Sequence, residues 1–126
     1  MDFANSYIGG GVLGHGCVQE EIRFMICPEL IASMLFTEQL DDLECLIISG
    51  HERYSNYRGY ASNFQFNGNH VDRTEMDTSP EQGNKRKSYL VAIDALYFRD
   101  SDPQYNEYNI VRELNKAFVG FHSEEE

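Results

Sequence analysis

The sequence is short of positive charge. Ten lysines and arginines stand against 21 acidic residues, which gives a net charge of −11. Proteins that bind DNA or RNA regardless of sequence do so by neutralising phosphates with lysine and arginine. The balance therefore argues against direct nucleic-acid binding, and any anionic ligand would have to be held by a few local groups.

Cysteines and long apolar runs are also scarce. Cys17, Cys27 and Cys45 are odd in number and form no Cys-x-x-Cys pair, so neither a disulfide framework nor a zinc knuckle is indicated. Reduced thiols in the nucleus or the cytoplasm are the expectation. No apolar run approaches the roughly 20 residues of a membrane helix, and the N-terminus lacks the basic flank of a signal peptide. We therefore expect no membrane partner.

The residues that are present predict one layered domain. A chain of 126 residues with 41% hydrophobic and 13% aromatic side chains can form a single core. Apolar spacing predicts strands at 2–8, 44–50 and 88–98, and helices from 18 up to Pro28, from Pro28 to 35, and at 109–121. Their order indicates an α/β fold. The polar segment 67–87 is predicted to be a loop or a mobile insertion, and 122–126 an acidic, frayed tail.

A run of glycines stands directly before the first predicted helix. Gly9, Gly10 and Gly11 are consecutive, and two more glycines follow at 14 and 16. Such a backbone can approach a phosphate closely, and the N–H groups of the following helix favour an anion. The same run also suits a flexible strand-to-helix turn. Because neither the Walker pattern nor a good dinucleotide fingerprint is present, both interpretations stay open on spacing alone.

Two adjacent acids begin that helix. Glu20 and Glu21 would interact well with the positive helix end, which is sufficient to explain them structurally. They also suit the cleavage of a glycosidic bond, which needs a proton donor and negative charge near the developing cation. Neighbours on a helix point about 100° apart, so they cannot flank one bond symmetrically. One acid would transfer the proton while the other orients the sugar.

The combination resembles a known family. The stretch "GGGVLGHGCVQEEIRF", followed by "PELI" and "LFTE", is similar to the signature region of poly(ADP-ribose) glycohydrolases. Five further segments, "DFAN", "ECLIISG", "YSNYRGY", "VAIDALYF" and "RELNKAFVGF", are similar to that family in the same order. The resemblance covers nearly the whole chain and is weakest over 64–87. It implies a macrodomain-like, three-layer α/β/α domain with a mixed sheet, of which 1–121 would be a partial catalytic domain.

The resemblance also implies roles for individual residues. Glu21 would be the proton donor to the leaving ribose oxygen and then the base that activates water, and Glu20 would hold ribose hydroxyls. Tyr60 would pack near the adenosine end, although a half-buried core tyrosine explains it equally well. The implied substrate-binding residues are Asp2, Asn5, Gly9, Gly10, Gly11, Val18, Gln19 and Tyr60. No metal or other cofactor is implied.

The implied activity is hydrolysis of ribose–ribose O-glycosidic bonds, which releases ADP-ribose. The implied partners are poly(ADP-ribose), ADP-ribose and poly-ADP-ribosylated proteins. The family's catalytic region extends further at both ends, so a second glycine-rich phosphate loop is expected to be missing. An unpaired sheet edge and an uncovered apolar face would follow. The alternative expectation is an inactive fragment that binds ADP-ribose or another protein.

Overall fold

A computed structural model describes residues 1–100 and 102–122. Its three helices are α1 (Gln19–Ile26), α2 (Glu29–Ser33) and α3 (Glu107–Phe121), and a 3₁₀ turn spans Ala61–Asn63. Its strands are β1 (Asp2–Ala4), β2 (Leu46–Ser49), β3 (Ser55–Arg58), β4 (Gln65–Asn69), β5 (Met76–Asp77), β6 (Lys85–Arg86) and β7 (Tyr89–Asp94). The predicted strands and helices are therefore present, although β1 ends four residues before its predicted limit and α3 begins two residues early.

The central sheet is mixed. Its strand order is β1-β7-β2, with β1 parallel and β2 antiparallel to β7. Ala4 pairs with Asp94 in the parallel register. The carboxyl ends of β1 and β7 therefore lie side by side, and the loops that leave them share one edge of the sheet.

Helices cover both faces of this sheet, as the predicted α/β/α layering requires. One face packs against α1 and α2 in a core that contains Ile8, Phe24, Ile26, Cys27, Leu30, Leu40, Leu90 and Ala92. The opposite face carries Val91 and Ile93, because neighbouring side chains on a strand alternate. Helix α3 approaches that face so closely that a Cβ on Gly120 would lie 2.7 Å from Val91 Cγ1.

The face of α3 that packs on the sheet is not its apolar one. Arg112, Lys116 and Gly120 recur every fourth residue and are buried. The apolar residues that predicted this helix remain between 44% and 63% exposed: Ile110, Val111, Leu114 and Phe118. Periodicity thus predicted the helix correctly, but its apolar stripe lies away from the described core.

A buried ion network fixes α3 to the sheet. Lys116 Nζ, completely buried, donates to Asp94 Oδ1 at the end of β7. Arg112 donates through Nη2 to Asp94 Oδ2 at 3.4 Å and through Nε to Asp42 Oδ1 at 2.8 Å. Glu113 accepts both from Arg112 and from the N–H of Leu96. The network joins the helix, the end of β7 and the loop before β2.

The segment 67–87 differs from its prediction as a loop. It contains the end of β4, which pairs with β3 around a bulge, and the short antiparallel pair β5-β6. Local side-chain bonds replace the apolar anchors that this polar segment lacks: Arg86 pairs with Glu52 at 2.7 Å, and Lys87 pairs with Glu75 at 2.6 Å. Hairpins held by polar contacts leave little hydrophobic periodicity, which is why the sequence indicated a loop.

Two further expectations concern the chain end and membranes. His122 closes α3 by donating its N–H to Phe118 O at 2.8 Å, and the rest of the predicted tail, 123–126, lies outside the described residues. Across 1–100 and 102–122, no helix has the length and apolar character needed to cross a bilayer.

The ion network predicts unequal effects for its members. Asp94→Ala leaves buried Lys116 without a described carboxylate partner, so we expect the free energy of unfolding to fall by about 3–5 kcal/mol. Lys116→Met should cost less, because Asp94 keeps Arg112. Urea denaturation of both variants measures this, and equal losses would contradict the assigned pairing.

Candidate active site

The start of α1 places two adjacent carboxylates inside the protein. Glu20 and Glu21 are only 3% and 6% exposed, although they are neighbours on a short helix. Residues 5–18, between β1 and α1, wrap around them, as the predicted strand-to-helix loop requires. Burial of two acids is costly unless polar groups compensate, so their hydrogen bonds determine how the site holds together.

Backbone N–H groups supply that compensation. Glu20 Oε1 accepts from the N–H of Gly9 at 2.6 Å, and Oε2 accepts from Asn5 at 3.0 Å. Glu21 Oε1 accepts from the N–H of Gly11 at 3.0 Å, and Oε2 accepts from Val18 at 3.0 Å. The Val18 bond is one half of a capping box, in which the third helical residue reaches back to the N-cap. Four donors thus fix both carboxylates without any basic side chain.

Two glycines make room for this arrangement. Gly10 has φ +49° and lies between the carboxylates: a Cβ there would collide with Glu21 Oε1 and lie 2.9 Å from Glu20 Oε2. A Cβ on Gly16 would lie 2.7 Å from the Glu21 side chain. The glycines are therefore required by the close approach of the acids, whether or not a ligand also binds.

The same contacts change one expectation about the loop. The glycine backbone was expected to approach a phosphate closely, but the N–H groups of Gly9 and Gly11 already donate to the protein's own carboxylates. Phosphate contact at these two positions would need a shared donor or a shift of a glutamate. The phosphate-loop role of Gly9–Gly11 stays a prediction.

Burial raises the pKa of two acids at this site, Glu20 and Asp2. Desolvation raises the pKa of Glu20 to about 7; the N–H groups of Asn5 and Gly9 oppose the rise, while Asp2 and Glu21 add to it. Desolvation likewise raises the pKa of Asp2 from 3.8 to about 6. Repulsion between Glu20 and Glu21 contributes to the raised pKa of Glu20, but loss of water is the larger cause.

Asp2 is the least compensated acid of the cluster. Its side chain is completely buried, and neither carboxylate oxygen has a hydrogen-bond partner among the described residues. It is not among the residues that line the cavity, although it is close enough for its charge to act on Glu20. The resemblance implied direct contact between Asp2 and a sugar, but in this structure the Asp2 side chain is not accessible from the cavity. Asp2 influences Glu20 through its charge.

A cavity of about 1000 Å³ opens in front of the pair. Of the implied site residues, the structure brings four to its wall: Asn5, Val18, Glu20 and Glu21. Sequence reasoning missed the other lining residues, which are Phe3, Ala4, Ser6, Arg112 and the segments 39–44 and 94–97. A signal existed for 94–97, because ligands of α/β folds bind at the carboxyl ends of parallel strands. The segment 39–44 carries no motif.

Gln19 and Tyr60 lie beside this cavity rather than in its wall. The Gln19 side chain is hydrogen-bonded to the backbone at the first strand: it accepts from the N–H of Phe3 at 2.9 Å and donates to Met1 O at 3.0 Å. Its own N–H donates to Tyr60 Oη at 3.2 Å. Tyr60 is 55% exposed and is not among the residues of the core cluster. Its contact with adenosine stays a prediction.

Side chains that could bind a metal ion do not form a cluster in the part of the chain that the structure describes. Residues 1–100 and 102–122 contain no group of three or more histidine, cysteine, aspartate or glutamate side chains arranged to hold an ion. The acids at the start of α1 have backbone N–H groups as partners instead.

The space at Gly10 predicts a steric effect. Gly10→Ala should destabilise the fold by roughly 1–3 kcal/mol more than Gly83→Ala, because overpacking costs about that much. Both glycines have positive φ, +49° and +67°, but a Cβ on Gly83 meets nothing within 4 Å. Thermal or urea unfolding measures the difference, and equal losses would show that backbone strain alone requires Gly10.

Asp2 predicts a pH-dependent stability. Since the folded state raises this pKa from 3.8 to about 6, it binds the proton more tightly than the unfolded chain does, and stability falls as pH rises through that window. Asp2→Asn removes the charge without losing a hydrogen bond, so it should stabilise the protein by about 1–3 kcal/mol at pH 8 and not at pH 4. Urea midpoints across pH 4–8 test this, and a pH-independent difference would contradict it.

Comparison with known proteins shows which family this chain resembles. The sequence profile described as "Poly (ADP-ribose) glycohydrolase (PARG), Macro domain fold" matches residues 1–126. Poly(ADP-ribose) glycohydrolase 1 of Arabidopsis thaliana is 50% identical over 121 residues, which cover 96% of this chain and 21% of that protein.

Two further relatives agree. Probable poly(ADP-ribose) glycohydrolase 2 of A. thaliana is 42% identical over 96% of this chain and 22% of its own length. Poly(ADP-ribose) glycohydrolase 1 of Caenorhabditis elegans is 38% identical over 98% of this chain and 17% of its own length. The chain thus spans about a fifth of the curated relatives it matches. With its mixed sheet between helical layers, the chain belongs to the poly(ADP-ribose) glycohydrolase family, whose fold is that of the macro domain.

Proposed function

We propose that this chain carries the acid–base part of a poly(ADP-ribose) glycohydrolase site. The reaction is hydrolysis of ribose–ribose O-glycosidic bonds, which releases ADP-ribose. The observation that carries the proposal is the buried pair Glu20–Glu21, held by four backbone N–H groups at the wall of a cavity of about 1000 Å³. Because the chain belongs to this family, we take the ribose–ribose bond of poly(ADP-ribose) as the bond on which the pair would act.

Glu21 acts first as an acid and then as a base. Its proton moves to the leaving ribose oxygen as the bond from that oxygen to the anomeric carbon breaks. A water oxygen then bonds to the same carbon, and the proton that this water loses returns to Glu21. Because Gly11 and Val18 hold both of its oxygens, the side chain keeps one orientation through both steps.

Glu20 orients the sugar. With a pKa near 7, its carboxyl is protonated for part of the time at neutral pH and can donate a hydrogen bond to a ribose oxygen. Its bonds from Asn5 and Gly9 fix the group at the cavity wall. In its ionised form it places negative charge near the oxocarbenium-like ring.

The remaining contacts belong to the same proposal. Asn5 and Val18, at the wall, would contact the substrate, and Gly9–Gly11 would approach its diphosphate. Gln19 and Tyr60 support this region, and the charge of Asp2 acts on Glu20. We place the substrate polymer on poly-ADP-ribosylated proteins in the nucleus or the cytoplasm. The three free cysteines, of which Cys27 is buried, are consistent with a reducing compartment.

Turnover of poly(ADP-ribose) tests the role of Glu21. The chain should release ADP-ribose, and Glu21→Gln should lower the rate by roughly 10²–10⁴-fold, the usual contribution of a general acid–base residue. Glu38→Gln changes the same charge at an exposed position outside the cavity lining and should leave the rate unchanged. Equal rates for the Glu21 variant and the original chain, or no release by the original chain, would overturn the proposal.

Calorimetry separates binding from turnover. ADP-ribose should bind to the Glu21 variant about as well as to the original chain, whereas Glu20→Gln should weaken binding, because Glu20 faces the sugar. Heat of binding without polymer cleavage would instead identify an ADP-ribose-binding module. Absence of heat at high micromolar ligand would argue against both.

A further inference from the structure

A second cavity is lined by Arg23 of α1 and by residues that follow β2 and β4. It has a volume of about 200 Å³ and shares no lining residue with the large one. Arg23 from α1 and Arg53, which follows β2, line it together with His51 and His70. Two arginines thus line one small cavity in a chain that has ten lysines and arginines against 21 acids.

Neither guanidinium has a carboxylate partner. Among residues 1–100 and 102–122, the ion pairs within 4.0 Å involve other cations, not Arg23 or Arg53. Arg23 donates through Nη2 to His51 Nε2 at 3.3 Å. Arg53 donates to Ser55 O at 3.0 Å and to Asn56 Oδ1 at 3.4 Å. Each guanidinium has five N–H groups, so several donors of both side chains have no described protein acceptor.

His51 fixes the direction of Arg23. A guanidinium can only donate, so His51 Nε2 accepts and its hydrogen lies on Nδ1, 3.4 Å from Ser88 Oγ. Ser88 in turn donates to His51 O at 2.6 Å. Burial of the ring, helped by the charge of Arg23, lowers the pKa of His51. The imidazole therefore stays a neutral acceptor that holds the guanidinium in place.

Asp72, the acid in the cavity lining, is already engaged. Its Oδ2 accepts the N–H of Arg53 at 2.9 Å, and its Oδ1 accepts the N–H of Thr74 at 2.8 Å. These backbone bonds hold its pKa below the usual range. The carboxylate is thus satisfied without either guanidinium, and with two arginines against one aspartate the lining keeps a net positive charge.

Size and charge together define the ligand. Drug-sized ligands occupy pockets of about 300–1,000 Å³, so about 200 Å³ suits a small ion. Guanidinium groups match the oxygens of a tetrahedral oxyanion in geometry and charge. We propose that this cavity binds a small oxyanion of the phosphate class through Arg23 and Arg53. The site lies outside the cavity of Glu20 and Glu21 and does not depend on the function proposed for them.

Thermal unfolding in phosphate, with chloride at equal ionic strength as reference, tests the site. A ligand that binds the folded state raises the unfolding midpoint in proportion to its occupancy. Phosphate should raise the midpoint of the original chain, and Arg23→Gln should weaken the apparent affinity by about tenfold, as expected for loss of charge-assisted bonds. Arg58→Gln is the matched control, because Arg58 is exposed and the bonds that its side chain donates within 1–100 and 102–122 go to Gln65 on the β3-β4 hairpin.

Phosphate also stabilises proteins in general, so the comparison between the two arginine variants decides the outcome. Equal shifts for both variants, or no shift beyond chloride for the original chain, would overturn the proposal. Arg23→Lys keeps the charge and should give an intermediate affinity measured by ³¹P line broadening, which covers the case in which the glutamine variant folds poorly.

Two further measurements distinguish this site from the cavity in front of Glu20 and Glu21. Added ADP-ribose should not reduce phosphate binding, and Glu21→Gln should keep it even when polymer cleavage is lost. Competition between ADP-ribose and phosphate would place the ion in the large cavity and contradict the proposal. Retained phosphate binding in a chain that cleaves nothing would refute the proposed function alone.

Discussion

The hydrogen bonds from backbone N–H groups to Glu20 and Glu21 are the interaction on which the site depends. Two adjacent acids at the start of a helix would normally point to water, and their burial has to be offset by donors. Four N–H groups from the glycine loop and its flanks provide these. The loop conformation and the position of α1 therefore stabilise each other.

This constraint extends to the rest of the sheet. Helix α1 packs on the face formed by Leu90 and Ala92, and the loop brings Asn5 to the edge where β1 and β7 end together. On the opposite face, the network of Asp94, Lys116 and Arg112 fixes α3 and also reaches the loop that completes the cavity wall. The wall of the cavity therefore contains both the acid pair, which is held by backbone N–H groups, and two members of the buried ion network, Asp94 and Arg112.

The sequence predicted elements more reliably than their surroundings. The apolar runs of β2 and β7 and the apolar spacing in α1 identified these elements correctly, because each of them contributes apolar side chains to the core or to its edge. The prediction of a loop or mobile insertion over 67–87 missed the short strands of this segment, because polar side-chain bonds rather than apolar contacts hold them. In α3 the periodicity was real, but ion pairs with Asp94 decided which stripe faces the sheet.

Sequence by itself determined the family, the layered α/β fold and the candidate acids, since these rest on local pattern and motif. Tertiary structure decided what the glycines do: they leave space for Glu20 and Glu21, and two of their N–H groups are taken by those carboxylates. It also decided that desolvation raises the pKa of Glu20 and of Asp2, and that Arg23 and Arg53 line the same small cavity. Burial and distance between remote residues arise only when the chain packs, which is why no local pattern revealed them.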